Sequence, residues 1–101
     1  MTRHRVAAVA DLWNGELVPV VVGTTKLVLA KIDDTIHAYA DRCPHLGSEL
    51  SRGMLDGKVL TCASHHWEYD VATGAGINPK HVCLVRFAVT IVDGSVYVEV
   101  P

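Results

Sequence analysis

The stretch from residue 43 to residue 65 opens on Cys43-Pro44-His45-Leu46-Gly47 and closes on Cys62-Ala63-Ser64-His65. Each end supplies one thiolate and one imidazole at close spacing. Sixteen residues lie between His45 and Cys62, enough for one loop to return beside the other. Two sulfur and two nitrogen donors suit two kinds of site. One is a tetrahedral zinc ion with two Cys and two His. The other is a [2Fe–2S] cluster with two cysteines on one iron and two histidines on the other. Ligand chemistry alone does not separate them. The order of the donors does help, because zinc fingers usually pair Cys with Cys and His with His locally. Here each motif pairs one Cys with one His, which suits a cluster whose two irons are each reached from both loops.

Outward from this stretch, short apolar, β-branched runs alternate with turn signals. Glu16 to Val22 reads as one strand, Lys26 to Ile32 as a second and Thr35 to Ala40 as a third, with Gly23-Thr24-Thr25 and Asp33-Asp34 between them. Near the end, Arg86 to Val92 and Ser95 to Val100 flank Asp93-Gly94, a strong hairpin signal. Val59 to Thr61 and Trp67 to Asp70 are candidate shorter strands. No long segment has helical periodicity, and Asp11 to Trp13 suits a single turn. The pattern predicts an all-β chain, a small antiparallel β-sandwich or barrel. Residues 41–81 hold five of the eight glycines and four of the six histidines, and read as a loop-rich insert on that framework. Loops on a rigid scaffold are where function concentrates.

The chain has 101 residues, enough for one domain with a modest core that a bound cofactor would help to stabilise. Nine basic and eleven acidic residues are scattered without a basic stripe, which argues against nucleic acid as a partner. The apolar stretches are too short to span a bilayer, and the start does not read as a signal peptide, so a cytoplasmic location is expected. Three cysteines do not make a disulfide framework. In a reducing compartment, cysteines near histidines read first as metal ligands.

Cys-x-His, sixteen residues and Cys-x-x-His resembles the signature of the Rieske [2Fe–2S] proteins, and the flanking strand pattern agrees over nearly the whole chain. Trp67, Thr73-Gly74-Ala75-Gly76-Ile77-Asn78-Pro79 and Cys83-Leu84 further resemble the Rieske ferredoxins of multicomponent toluene and alkene monooxygenases. The resemblance implies a Rieske-type fold as a single domain over residues 1–101, with a cluster-binding subdomain at about 41–81. It implies one [2Fe–2S] cluster held by Cys43, His45, Cys62 and His65, and no catalytic residue of the chain's own. The implied role is a monomeric one-electron carrier between an NADH-dependent flavin and iron–sulfur reductase and a diiron hydroxylase. The ferredoxin of a ring-hydroxylating dioxygenase, a zinc-binding structural module and a redox sensor are the other readings.

Departures inside the motif carry expectations. Respiratory Rieske proteins have one extra cysteine in each ligand loop, joined as a disulfide. Ser48 and Ser64 stand at those positions here, so no such bridge is expected. Trp67 stands where those proteins have a serine that donates to the cluster, which points to the lower end of the Rieske potential range. Tyr69 stands where they have a tyrosine whose hydroxyl reaches a cysteine sulfur, which would raise the potential. Pro44 is expected to stiffen the first ligand loop and Gly47 to permit its turn. Trp67 either shields the cluster and meets a partner or simply packs. His66 is expected to turn away along an extended chain. His4, His37 and His81 read as surface or packing residues, and Cys83 as a buried structural thiol. Asp41, Glu49, Asp56, Glu68 and Asp70 either steer a basic partner or, by slight preference, are simply solvated.

Overall fold

Lys26-Leu27-Val28-Leu29-Ala30-Lys31-Ile32 is apolar on both faces of an extended chain, which fits a strand covered from both sides. The structure, a computed structural model, describes residues 2–43, 48–63, 66–78, 80 and 82–100. Its strands are β1 (Thr2–Ala8), β2 (Leu17–Val22), β3 (Thr25–Ile32), β4 (Thr35–Ala40), β5 (Met54–Asp56), β6 (Val59–Thr61), β7 (Glu68–Asp70), β8 (Gly76–Asn78), β9 (Arg86–Phe87), β10 (Val89–Val92) and β11 (Ser95–Val100). They form three antiparallel sheets, ordered β1-β11-β10, β2-β3-β4-β9 and β5-β6-β7-β8.

The sheet containing β3 lies between two cores. Leu27 and Leu29 point into one of them, with Ile36 and Ala38 of β4 and Val96, Val98 and Val100 of β11. Val28, Ala30 and Ile32 point the other way, with Tyr39, Leu50, Leu60, Tyr69 and Val71. Two-residue turns fix this register. Asp33 and Asp34 between β3 and β4 have φ of 49° and 64°, and Asp93 and Gly94 between β10 and β11 have 48° and 76°. Positive φ at both central residues matches the right-handed twist of the flanking strands, and Asp and Gly tolerate it.

Several boundaries differ from the sequence reading. Arg86 to Val92 is not one strand. β9 pairs with β4, β10 pairs with β11, and the chain changes sheets at Ala88. Residues 41–81 are less loop-like than expected, since they contain all of β5, β6, β7 and β8. The turn expected at Asp11 to Trp13 is a short 3-10 turn at Val9–Asp11.

The pairing of Tyr39 with Arg86 builds the bridge between the middle sheet and the segment after β7. The Arg86 guanidinium lies over the Tyr39 ring at 5.8 Å and donates to the Ala72 carbonyl at 2.9 Å. The Tyr39 hydroxyl donates to the Val71 carbonyl. Gly74, at φ 82°, packs so close to the Tyr39 ring that a Cβ there would press on it. Arg86 also donates to Nδ1 of the buried His37 at 3.1 Å. Arginine has no acceptor, so this ring nitrogen accepts and His37 is neutral. Burial, and then the Arg86 charge, hold His37 below its ordinary value of 6.5, against a smaller opposite pull from Asp70. The unfolded chain therefore binds the extra proton first. The stability His37 contributes is present above about pH 6.5 and is lost as pH falls below it toward the folded value. Unfolding midpoints should decline through that window. His37→Gln, whose amide oxygen can still accept from Arg86, should decline less steeply, and an identical slope in thermal melts would reject this assignment.

Candidate metal centre

Cys43 follows the end of β4, and Cys62 follows the end of β6 directly. Both side chains are buried in the core that also holds Leu50, Leu60 and Tyr69. Backbone hydrogen bonds fasten each cysteine. The Cys43 amide donates to the Ser48 carbonyl at 2.7 Å. The Cys62 amide donates to the Trp67 carbonyl at 2.8 Å, and the Cys62 carbonyl accepts from the His66 amide at 3.0 Å. Each loop thus has its ends tied where the chain enters and leaves. Gly53 brings the segment after the first loop onto β6, because a Cβ there would overlap the Thr61 carbonyl oxygen. Only glycine permits that approach without a shift.

Tyr69 lies in the same buried core as both cysteines. Its hydroxyl lies 3.4 Å from Cys43 Sγ, and its side chain is fully buried. Burial first, then the hydrogen bond to Cys43 and the charges of Cys43 and Cys62, push the phenol far above its ordinary value. The phenol therefore keeps its proton and is able to donate it to a sulfur acceptor. The contact expected of Tyr69 from its place in the motif is therefore present.

His45 and His65, the nitrogen donors expected from the sequence, lie outside the described residues, as do Pro44, Gly47, Ser64, Pro79 and His81. Among the described residues no three His, Cys, Asp or Glu side chains gather to hold a metal ion. None of the three cysteines is in a disulfide.

Four expectations are corrected. Cys83 is exposed, because its backbone bridges to Ala75 while its side chain stays outside the core. His66 is not in extended chain but at φ 58°, where the second loop turns back on Cys62. Asp41 is not solvated but buried. Nor is His37 merely a packing residue, since it holds Arg86. Glu49 pairs with Arg52 at 3.1 Å and Lys26 at 3.9 Å on the surface, worth little to stability. Trp67 packs against the core that contains the two cysteines. The partners of Arg86 went unread because they lie far along the chain, and that of Asp41 because Ser51 meets it only once the loop closes.

The Rieske [2Fe-2S] domain family matches residues 2–88. Among curated relatives, the ferredoxin component of the alkene monooxygenase system of Xanthobacter autotrophicus is 42% identical over 95 residues, spanning 92% of this chain and 77% of that one. Ferredoxin CarAc of Metapseudomonas resinovorans is 35% identical over 96 residues, spanning 93% and 90%. Among solved structures, the Sphingomonas yanoikuyae B1 ferredoxin superposes with a TM-score of 0.89 at 29% identity, over 99% of this chain and 100% of that one. A chain of the complex of reduced oxygenase and oxidized ferredoxin in carbazole 1,9a-dioxygenase gives 0.87 at 35% identity, over 95% and 100%. The chain belongs to the Rieske [2Fe–2S] family. The group that defines this family needs two cysteine sulfurs in a water-poor setting, and Cys43 and Cys62, buried in one core, fit it.

A donor to a cysteine sulfur favours the more negative, reduced state, so its loss should lower the potential. A net hydrogen bond of about 0.5–1.5 kcal/mol corresponds to roughly 20–60 mV for one electron. Tyr69→Phe should shift the midpoint downward by that order in protein-film voltammetry. An unchanged midpoint would show that the contact does not reach the redox centre.

Proposed function

We propose that the chain is a one-electron carrier of a multicomponent oxygenase, with its cluster held by Cys43, His45, Cys62 and His65. The observation that carries this reading is the pair of cysteines buried in one core, with a phenol hydroxyl 3.4 Å from Cys43 Sγ, in a chain 42% identical to a ferredoxin of an alkene monooxygenase system. When bound, a Rieske cluster supplies reversible one-electron transfer. Two neutral imidazoles in place of two thiolates make its oxidised form formally neutral, so an electron is added at less cost than in a four-cysteine ferredoxin. What the protein contributes is a dry, tied seat for the sulfurs and the donor from Tyr69.

The donor partner in this reading is an NADH-dependent flavin and iron–sulfur reductase, and the acceptor is a diiron hydroxylase. Docking is transient and of modest area, as electron-transfer encounters are. Cytoplasmic placement and a monomeric state belong to the same reading. No helix of the described residues is long and apolar enough to cross a membrane. A second reading changes only the acceptor to a ring-hydroxylating dioxygenase. It draws on the likeness to CarAc and to the ferredoxin-sized chain in the carbazole 1,9a-dioxygenase complex.

Low-temperature EPR of the dithionite-reduced protein, with iron and zinc assayed on the same sample, tests the centre. The expected result is a rhombic signal of a mixed Cys/His-ligated cluster with about two irons per chain. A silent sample carrying about one zinc per chain would overturn the carrier function. Reduced protein mixed in turn with a diiron hydroxylase and a ring-hydroxylating dioxygenase should reoxidise faster with the hydroxylase. The reverse order would select the second reading.

A further inference from the structure

Asp41 is the one buried carboxylate among the described residues, with 5% of its surface exposed, and it stands two positions before Cys43. A buried carboxylate is costly unless its oxygens are satisfied. Here both are. Oδ1 accepts from the Ser51 amide at 2.8 Å, and Oδ2 accepts from the Ser51 hydroxyl at 2.6 Å. No lysine, arginine or histidine forms an ion pair with it among the described residues. Its own amide donates to the Lys26 carbonyl at 3.0 Å, which anchors it to β3. The next amide, of Arg42, reaches back to the Ala40 carbonyl at 2.7 Å, a tight turn that redirects the chain toward Cys43. On the far side, Ser51 lies in the 3-10 turn Leu50–Arg52, and its neighbour Leu50 is fully buried beside Cys43 and Cys62.

These bonds form a second tie across the first ligand loop, outside the Cys43–Ser48 bond. The inner tie includes a neutral backbone bond. The outer one has two charge-assisted bonds and leaves a negative charge fixed in the protein. Hydrogen bonds to an ionised group are roughly twice as strong as neutral ones. We infer that Asp41 is a positioning residue for Cys43, whose carboxylate pins Ser51 to hold that cysteine in its ligating place and sets a fixed negative charge against reduction of the centre. This inference rests on the cluster reading proposed above.

Three variants separate the clasp from the charge. Asp41→Ala removes both. Ser51→Ala keeps the charge and removes the hydroxyl bond. Asp41→Asn keeps the size and an acceptor for the Ser51 amide, and removes the charge. Each is loaded with cluster, and two quantities are read: the rate of bleaching by an iron chelator, and the midpoint potential. Asp41→Ala should bleach about tenfold faster or more, as the loss of charge-assisted bonds implies. Ser51→Ala should bleach faster by a smaller factor at an unshifted potential. Asp41→Asn, whose bonds to Ser51 are neutral, should bleach faster than wild type but slower than Asp41→Ala, with its potential raised, a shift that a merely structural role would not produce. Wild-type bleaching and potential in Asp41→Ala would overturn the inference, as would an unshifted potential in Asp41→Asn. Should Asp41→Ala fail to fold, the other two decide by the same criteria. A wild-type protein that takes up zinc and no cluster would refute the carrier reading instead. Amide exchange at Cys43 and Ser51 would then still test the clasp, with equal exchange in wild type and Ser51→Ala overturning it.

Discussion

A sulfur kept away from water must be buried with its backbone, and Cys43 and Cys62 are buried although both lie outside regular strands. Buried backbone outside a sheet carries amides and carbonyls with no ladder to join, and each one left unpaired costs about 1–3 kcal/mol. The organisation around Cys43 and Cys62 answers that constraint. Each cysteine amide is spent on a carbonyl at the far side of its own loop, Ser48 in one case and Trp67 in the other. Gly53 lets the first loop's exit lie against β6, and Leu50 fills the space below. Tyr69 takes the remaining position, where its hydroxyl faces sulfur rather than apolar carbon.

The framework below serves the same end. The sheet that contains β3 and β4 is the floor of the thiol-bearing core and the ceiling of the other one. Arg86 connects that floor to the segment after β7 through Ala72, Tyr39 and His37. One cation is thus shared by a carbonyl, a ring face and an imidazole, and all three orient it.

Much of this is legible in the sequence where a local signal suffices. β4 and β11 were bounded at the expected residues because apolar runs end there at two-residue turns with left-handed preference. The spacing of the cysteines and Tyr69 singled them out, and the structure buries all three in one core. β1 was not read, since Thr2–Ala8 is largely exposed and charged and owes its extension to pairing with β11. β5 and β8, Met-Leu-Asp and Gly-Ile-Asn, hold at most one β-branched residue each and owe their extension to pairing with β6 and β7. The break at Ala88 leaves no local mark, because both of its sides are strand and only their partners differ. Asp41 could have been suspected, since an acid followed ten residues later by Ser51 is within reach once a loop closes, but its burial is a property of the fold.

The two-sided burial of β3 also bears on how the chain comes apart. Its residues contribute alternately to both cores, so neither can open fully while the other stays closed. The amides of Leu27, Val28, Leu29 and Ala30 should therefore exchange with solvent as one cooperative unit, through unfolding of the whole molecule. Loss of packing at the distal sheet of β1, β10 and β11 is then felt at the seat of the sulfurs, through a strand that touches both.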